Sequence, residues 1–269
     1  MTSDAVDAPW SVVRGRGPII ALALHAGHEI RPEVATLVKA SEADRLREED
    51  PGTERFGAAV PTRVAVNRSR FEVDLNRPRE RAVYGDVTDT WGIDVWNALP
   101  LPEGVFERSL AMYDAFYAEF EHLLDDVVMR HGGFVVLDLH SYNHRRGGQT
   151  AEPDDPTENP GVNLGTGSLD RERWSPVVDA FAESLADALG PGADVRENVK
   201  FRGGHLSRWV HDHYPTGCCL AIEFKKTYMD EWTGVIDATA AEQISNAVAR
   251  TLPHLQAALR RVVHSGTDC

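Results

Sequence analysis

The stretch GFVVLDLH, residues 133–140, decides the fold class, because it joins a continuous apolar run to a histidine. An apolar run of this length is typical of a strand that is buried on both faces of a parallel sheet. The segment PIIALALH, residues 18–25, repeats the pattern, and CCLAIEF, residues 218–224, carries a glutamate in place of the histidine. The sequence therefore predicts three core strands, each with a polar side chain near its carboxyl end.

Helical patterns separate these strands. Apolar residues recur at helical spacing in residues 106–131, 174–189 and 244–259. Residues 70–75 alternate polar and apolar side chains, which predicts a half-buried strand. Residues 145–160 are polar and proline-rich, which predicts a long surface loop. Strands that alternate with helices indicate an α/β sheet with helices on its faces.

Composition and charge exclude several function classes. The 269 residues include 42 Asp and Glu against 28 Lys and Arg, a formal net charge of -14. Proteins that bind nucleic acid or a membrane surface usually carry the opposite balance, so neither partner is expected. Three cysteines make no disulfide framework, and the acidic start and the absence of 18 uninterrupted apolar residues predict neither a signal peptide nor a membrane span. We expect a cytoplasmic protein, and the sequence leaves the oligomeric state open.

The two strand-end histidines, His25 and His140, are candidate zinc ligands. Ligands of open α/β sheets bind outside the carboxyl ends of the strands, and a neutral imidazole is the commonest zinc ligand. Asp138 leaves the same strand face as His140, where a carboxylate could hold the imidazole tautomer. The third ligand stays open between His28 and a residue from elsewhere, such as Glu54. A local hydrogen bond at the strand end is the structural alternative for each histidine.

Basic residues near the same strand ends favour an anionic substrate. Asn76 and Arg77 follow the predicted strand at residues 70–75, and the planar guanidinium of Arg77 suits a carboxylate. Arg145 and Arg146 come shortly after His140 and could add positive charge to the same opening. In so acidic a chain, basic residues gathered at one site favour a small anion. A surface salt bridge is the alternative for Arg77.

Glu223 is the candidate general base. It follows an apolar run within a predicted strand, where an unpaired carboxylate is costly and is therefore expected to be paired or functional. Beside a metal-activated water it could accept a proton and then deliver it to a leaving amine. A salt bridge to Lys225, Lys226 or an arginine is the structural alternative.

A set of short motifs resembles the N-formylglutamate amidohydrolase family. The motifs are HAG at 25–27, DLNRP at 74–78, DLHS at 138–141, NLGT at 163–166, FRGG at 201–204, and IE at 222–223 followed by TYM at 227–229. They recur in the family's order from about residue 20 to about residue 235. The family is similar to the zinc carboxypeptidase and aspartoacylase group. This resemblance implies one domain over residues 1–269, a three-layer α/β/α fold with a mixed, largely parallel central sheet.

The resemblance also implies roles for individual residues. The zinc ligands would be His25, Glu54 and His140, the substrate carboxylate would bind Asn76 and Arg77, and the catalytic glutamate would be Glu223. The sequence departs from the pattern in two places. The HxxE spacing of the wider group is absent, and His205 follows the double glycine where a tyrosine is expected. The third metal ligand and the identity of the substrate therefore stay open.

The leading functional hypothesis is a Zn²⁺-dependent hydrolase that cleaves the amide of a small acidic N-acyl amino acid. N-formyl-L-glutamate, which would give formate and L-glutamate, is the lead candidate. An alternative is a metallocarboxypeptidase-like enzyme that acts on a peptide end, with the loop at residues 145–160 lining a peptide groove. A non-catalytic metal-binding or ligand-binding protein is a further alternative, which the intact carboxylate at Glu223 disfavours.

Overall fold

The computed structural model describes residues 8–265. Within these residues seven strands form one sheet in the order β1-β3-β2-β4-β7-β5-β6. The four central strands β3, β2, β4 and β7 are parallel, and β1 and the β5–β6 pair run antiparallel to them. The strands are β1 (Trp10–Val13), β2 (Ile19–Ala23), β3 (Thr62–Val66), β4 (Phe134–Tyr142), β5 (Val162–Gly165), β6 (Val195–Glu197) and β7 (Gly217–Lys225). The predicted domain limits at residues 1 and 269, and Cys269 itself, lie outside the described residues.

Helices cover both faces of the sheet. The long helices α5 and α7 pack with α3 on one face, and α4 packs with α6 on the other. This arrangement confirms the three-layer α/β/α fold and the mixed, largely parallel sheet. The helices are α1 (Pro32–Ala35), α2 (Glu42–Glu48), α3 (Thr53–Phe56), α4 (Glu103–His131), α5 (Ser175–Leu189), α6 (His205–His213) and α7 (Ala238–Ser265).

The three predicted core strands are confirmed as β2, β4 and β7. All nine residues of β4 are buried, because its side chains alternate between the two helical layers. Val135 and Leu137 face α5 and α7, whereas Val136 faces α4. The adjacent Cys218 and Cys219 likewise belong to opposite faces. A strand that is buried on both sides needs apolar residues at every position, which explains the continuous runs in the sequence.

The prediction of a strand at residues 70–75 is wrong. Glu72 and Asp74 are fully buried, and so are the apolar residues Phe71, Val73 and Leu75 that alternate with them, so the alternation does not mark an exposed face. Arg31 donates to Glu72 at 2.6 Å, and Arg70 donates to Asp74 at 2.7 Å. The segment turns within itself and makes no strand pairing, because buried ion pairs hold its polar side chains inside the protein.

The loop between β4 and β5 confirms the predicted surface loop, since residues 145–160 contain neither helix nor strand. None of the helices in residues 8–265 is both long and apolar enough to cross a membrane.

Candidate active site

The carboxyl ends of the central strands open into a cavity of about 510 Å³. His25 lies two residues beyond the end of β2. His140 lies in β4 and is the register partner of Glu223 in β7. All three residues line the cavity. The two imidazole rings lie 4.9 Å apart between centroids. The parallel strands therefore bring the predicted histidines and glutamate to one place.

A carboxylate completes a compact group with the two histidines. Asp50 Oδ2 lies 3.0 Å from His140 Nδ1 and 3.5 Å from His25 Nδ1. His25, Asp50 and His140 each offer a ligand atom within 4.8 Å of the others, and all three are buried. His25 Nδ1 is buried and has no hydrogen-bond partner within the described chain. Two imidazole nitrogens and one carboxylate oxygen are a typical catalytic zinc donor set, so these residues fit a zinc ion with a fourth position for water.

The structure corrects the third member of the predicted ligand set. Glu54 is exposed on α3 and pairs with Arg55 at 3.4 Å, so it does not approach the histidines. His28 Nδ1 is also engaged elsewhere, 2.5 Å from Glu49 Oε2. Asp50 takes this position because its backbone N–H donates to the carbonyl of His25 at 2.8 Å, which ties the turn between α2 and α3 to the end of β2.

Hydrogen bonds from a buried lysine hold the turn that carries Asp50. Lys226 is fully buried and its ammonium donates to the carbonyls of Arg47 and Glu49, both at 2.6 Å. Ser141 Oγ donates to Asp50 Oδ1 at 3.2 Å. Burial disfavours the charged form of Asp50, but the hydrogen bond to His140 and the nearby imidazole of His25 outweigh this cost and hold the pKa of Asp50 below its usual value. The carboxylate is therefore ionised and preoriented.

Asp74 orients His25, a role that the sequence analysis missed. Its Oδ1 lies 2.8 Å from His25 Nε2, and its Oδ2 accepts from Arg70 at 2.7 Å and from Tyr84 at 2.5 Å. Burial opposes the charge of Asp74, yet the Arg70 guanidinium dominates and lowers the pKa of Asp74 well below its usual value. An ionised acceptor keeps the imidazole proton on Nε2, so that Nδ1 presents its lone pair towards Asp50. The DLNRP motif contained this residue, but nothing in its spacing connected it to His25.

Asp138 lies beside His140, where the sequence analysis expected it. The residue is fully buried, and its Oδ1 is 2.9 Å from His140 Nε2. The contact is poorly aligned for a hydrogen bond, and neither carboxylate oxygen has another partner among residues 8–265. The two histidines therefore share one arrangement, with Nδ1 towards Asp50 and Nε2 towards a second carboxylate.

Glu223 keeps a free carboxylate at the cavity. It makes no ion pair or hydrogen bond with a side chain in the described part of the chain, so the alternative of a salt bridge to Lys225 or Lys226 is not observed. Its partial exposure is exposure to the cavity. Burial raises the pKa of Glu223 to about 8, and the positive charge of His140 limits the increase. A carboxyl group with a pKa near neutrality can both accept and donate a proton.

The predicted substrate-binding residues divide into two groups. Asn76, Arg77 and Arg146 line the cavity, whereas Arg145 does not. Asn76 Nδ2 lies 3.4 Å from His140 Nε2, and Arg77 Nη2 donates to the carbonyl of Asp89 at 3.0 Å. Arg146 forms two hydrogen bonds with Glu48, at 2.5 and 3.0 Å. Arg145 instead accepts a hydrogen bond from Arg47 at 3.2 Å through its backbone carbonyl.

The cavity wall is strongly basic although the chain is acidic. Its acidic residues are Glu48, Asp50 and Glu223, and eight Lys and Arg residues surround them. Such a wall raises the local concentration of anions. Only Arg77 and Arg146 of these eight were predicted from the sequence to bind the substrate. The eight are Arg70, Arg77, Arg81, Arg146, Lys200, Arg202, Arg208 and Lys226.

Three solved structures are similar to this chain. An N-formylglutamate amidohydrolase from Ralstonia eutropha JMP134 aligns with a TM-score of 0.70 and 18% identity over 96% of this chain and 99% of that one. A gene product from Agrobacterium tumefaciens aligns with a TM-score of 0.64 and 16% identity over 99% of both chains. A metallo-carboxypeptidase from Burkholderia cenocepacia aligns with a TM-score of 0.36 and 14% identity over 95% of this chain and 60% of that one.

Because the identities are only 18% and 16%, the first two structures show that this chain shares their fold and nothing more. No curated protein sequence matches the chain significantly. The sequence profile of the N-formylglutamate amidohydrolase family matches residues 17–229, a span that contains every residue of the histidine–carboxylate group and Glu223. The family supports a hydrolase of this kind, as the resemblance implied. The chain belongs to the N-formylglutamate amidohydrolase family.

Proposed function

We propose that the protein is a zinc-dependent amidohydrolase that cleaves the amide bond of a small acidic N-acyl amino acid, with N-formyl-L-glutamate as the lead substrate. One observation carries the proposal. The buried group of His25, Asp50 and His140 lies in a basic cavity, and the unpaired carboxyl of Glu223 lies in the neighbouring strand. This arrangement combines a metal site, a proton acceptor and an anion-binding wall.

Arg77 is suited to bind a carboxylate of the substrate. Its guanidinium donates one hydrogen bond to the carbonyl of Asp89, and its Nε is 3.8 Å from Asp74, whose Oδ2 already accepts from Arg70 and Tyr84. Several donors of Arg77 therefore remain for an anion in the cavity. Charge-assisted hydrogen bonds to a planar guanidinium would fix the orientation of the substrate.

The chain's own groups prepare the hydrolysis. A zinc ion held by His25, Asp50 and His140 would polarise the scissile carbonyl and lower the pKa of a water molecule towards about 7. Asp74 fixes the tautomer of His25. Glu223 accepts the proton of the attacking water and passes it to the leaving nitrogen. The raised pKa of Glu223 favours the second step, and the positive charge of Arg70 favours the ionised form that the first step needs.

Hydrolysis of N-formyl-L-glutamate, followed by the release of formate, tests this proposal. We expect activity that is lost on chelation and restored by zinc. Glu223→Gln removes the base and preserves the shape, so kcat is expected to fall about 10²- to 10⁴-fold with zinc content and circular dichroism unchanged.

The alternatives predict different results. A folded, zinc-loaded Glu223→Gln protein with a wild-type rate would exclude the role as base. Release of terminal residues from short acidic peptides without formate release would support a carboxypeptidase-like enzyme. Turnover of neither substrate class by the zinc-loaded wild type would support a binding protein.

A further inference from the structure

The basic residues of the cavity differ in how their charges are compensated. Arg70 is neutralised by Asp74 at 2.7 Å, Arg81 pairs with Asp89, and Arg146 pairs with Glu48 at 2.5 Å. Lys226 is buried against two backbone carbonyls. These four cations therefore belong to the framework of the site.

The segment 200–208 contributes cations of another kind. Lys200, Arg202 and Arg208 all line the cavity, and none of them has a carboxylate partner in the described part of the chain. Lys200 donates to the amide oxygen of Asn159 at 2.5 Å, and Arg208 donates to the carbonyl of Gly203 at 3.3 Å. Arg202 is exposed and makes no side-chain hydrogen bond there.

Position distinguishes these cations from other exposed arginines. Arg79 pairs with Asp114 at 2.6 Å, whereas Arg250 and Arg260 form no ion pair in the described residues. Arg202 and Arg208 also form no ion pair there, but both line the cavity that contains the histidine–carboxylate group. An anionic ligand in this cavity would supply the counter-charge that the chain does not.

Arg202 precedes a tight turn at Gly203 and Gly204, and Arg208 follows it. Gly203 has a φ of +108°, and a Cβ at Gly204 would overlap the side chain of Asn76, so this turn requires both glycines. α6 begins immediately afterwards. Asn76 accepts from the backbone N–H groups of His205 at 3.3 Å and Leu206 at 2.9 Å, so the first amides of α6 are already used. An anion at this turn would be bound by the arginine side chains.

His205 lies between the two arginines in sequence but adds no charge. Tyr113 donates its single hydroxyl proton to the carbonyl of Arg77 at 3.0 Å, so it accepts from His205 Nε2 at 3.1 Å. Burial, with the Arg208 charge beside it, lowers the pKa of His205, which is therefore neutral at neutral pH. The acids whose charges act on His205 are Glu80, Asp74 and Asp212, and none of them forms an ion pair with Arg202 or Arg208.

We propose that Arg202 and Arg208 form a second anion subsite, separate from Arg77, that selects N-acyl amino acids with a carboxylate in the side chain. The assignment rests on the proposed function and names the substrate class as dianions. One carboxylate binds Arg77, and the other binds Arg202, before the turn, and Arg208, in the first turn of α6. Two guanidiniums without other counter-ions distinguish a carboxylate from a carboxamide of the same shape.

Binding and turnover of N-formyl-L-glutamate and N-formyl-L-glutamine test this subsite. The two compounds differ only in the charge of the side chain. We expect Arg202→Gln and Arg208→Gln each to reduce kcat/KM for the glutamate compound about 10- to 100-fold and to change the glutamine compound by less than about threefold. Arg260→Gln, an exposed position on α7 outside the cavity, is the matched control and should leave both values unchanged.

Calorimetric binding of the same compounds to the Glu223→Gln protein, with and without each arginine substitution, separates two kinds of failure. A preference for the dianion that depends on the arginines, together with a zinc-loaded wild type that hydrolyses neither compound, would support the subsite and reject the proposed function. Hydrolysis with equal losses for both compounds, or with no loss, would overturn the subsite and leave the proposed function intact.

Discussion

Substitution of Asp74 by Asn is expected to weaken both the fold and the metal site. Asp74 accepts from Arg70 and Tyr84 through Oδ2 and from His25 and the backbone of Asn76 through Oδ1. Asn keeps the shape but loses the charge and replaces one acceptor by a donor. Removing one partner of a buried ion pair costs about 3–5 kcal/mol. We expect a loss of about 3 kcal/mol in the free energy of unfolding, because one oxygen remains as an acceptor.

The same substitution removes the group that holds the tautomer of His25. Loss of such an orienting carboxylate typically reduces metal affinity about 10- to 100-fold. Tyr84→Phe is the matched control, because Tyr84 contacts Oδ2 and leaves the bond from Oδ1 to His25 in place. It should cost about 1.5–3 kcal/mol of stability without a comparable loss of zinc affinity.

Urea unfolding of the metal-free proteins measures the stability, and competition with a chromogenic chelator measures the zinc affinity. The reasoning would be refuted if Asp74→Asn bound zinc as tightly as the wild type. It would also be refuted if Tyr84→Phe lost as much zinc affinity as Asp74→Asn, because the effect would then follow stability alone.

Two further predictions concern the substrate and the pH dependence of stability. Arg77→Lys keeps the charge but loses the planar fork, so kcat/KM for N-formyl-L-glutamate should fall about tenfold or more, and an equal proportional loss for a neutral amide analogue would indicate a structural role. Burial lowers the pKa of His211 to about 4. The unfolded chain therefore takes up this proton first, and the free energy of unfolding should decrease as the pH falls from about 6.5 through about 4, by at most about 3 kcal/mol. Urea unfolding at pH 7 and pH 4.5 checks this: His211→Gln should show a smaller decrease than the wild type, and equal decreases would contradict the assignment.

The sequence predicted the central sheet because burial on both faces leaves a strong pattern. Continuous apolar runs identified β2, β4 and β7, and parallel strands necessarily bring their carboxyl ends to one edge. The meeting of His25 and His140 followed from that geometry. The long amphipathic helices were equally evident from their spacing.

The remaining features depend on contacts between distant segments. Asp50 lies in a turn with no periodic pattern, and only its backbone bond to His25 and the buried Lys226 beneath the turn bring it to the histidines. Residues 70–75 looked like a strand because the sequence shows an alternation of polarity but not the arginines that neutralise Glu72 and Asp74. Long-range pairing of this kind has no local signature.

The zinc content of three purified proteins tests the central claim most directly. We expect about one zinc per chain in the wild type and in Glu54→Ala, and little zinc in Asp50→Asn, which retains the shape of the carboxylate; circular dichroism should show all three folded. Full zinc occupancy in Asp50→Asn together with loss of zinc in Glu54→Ala, or a wild type that binds no zinc, would contradict a metal site built from His25, Asp50 and His140.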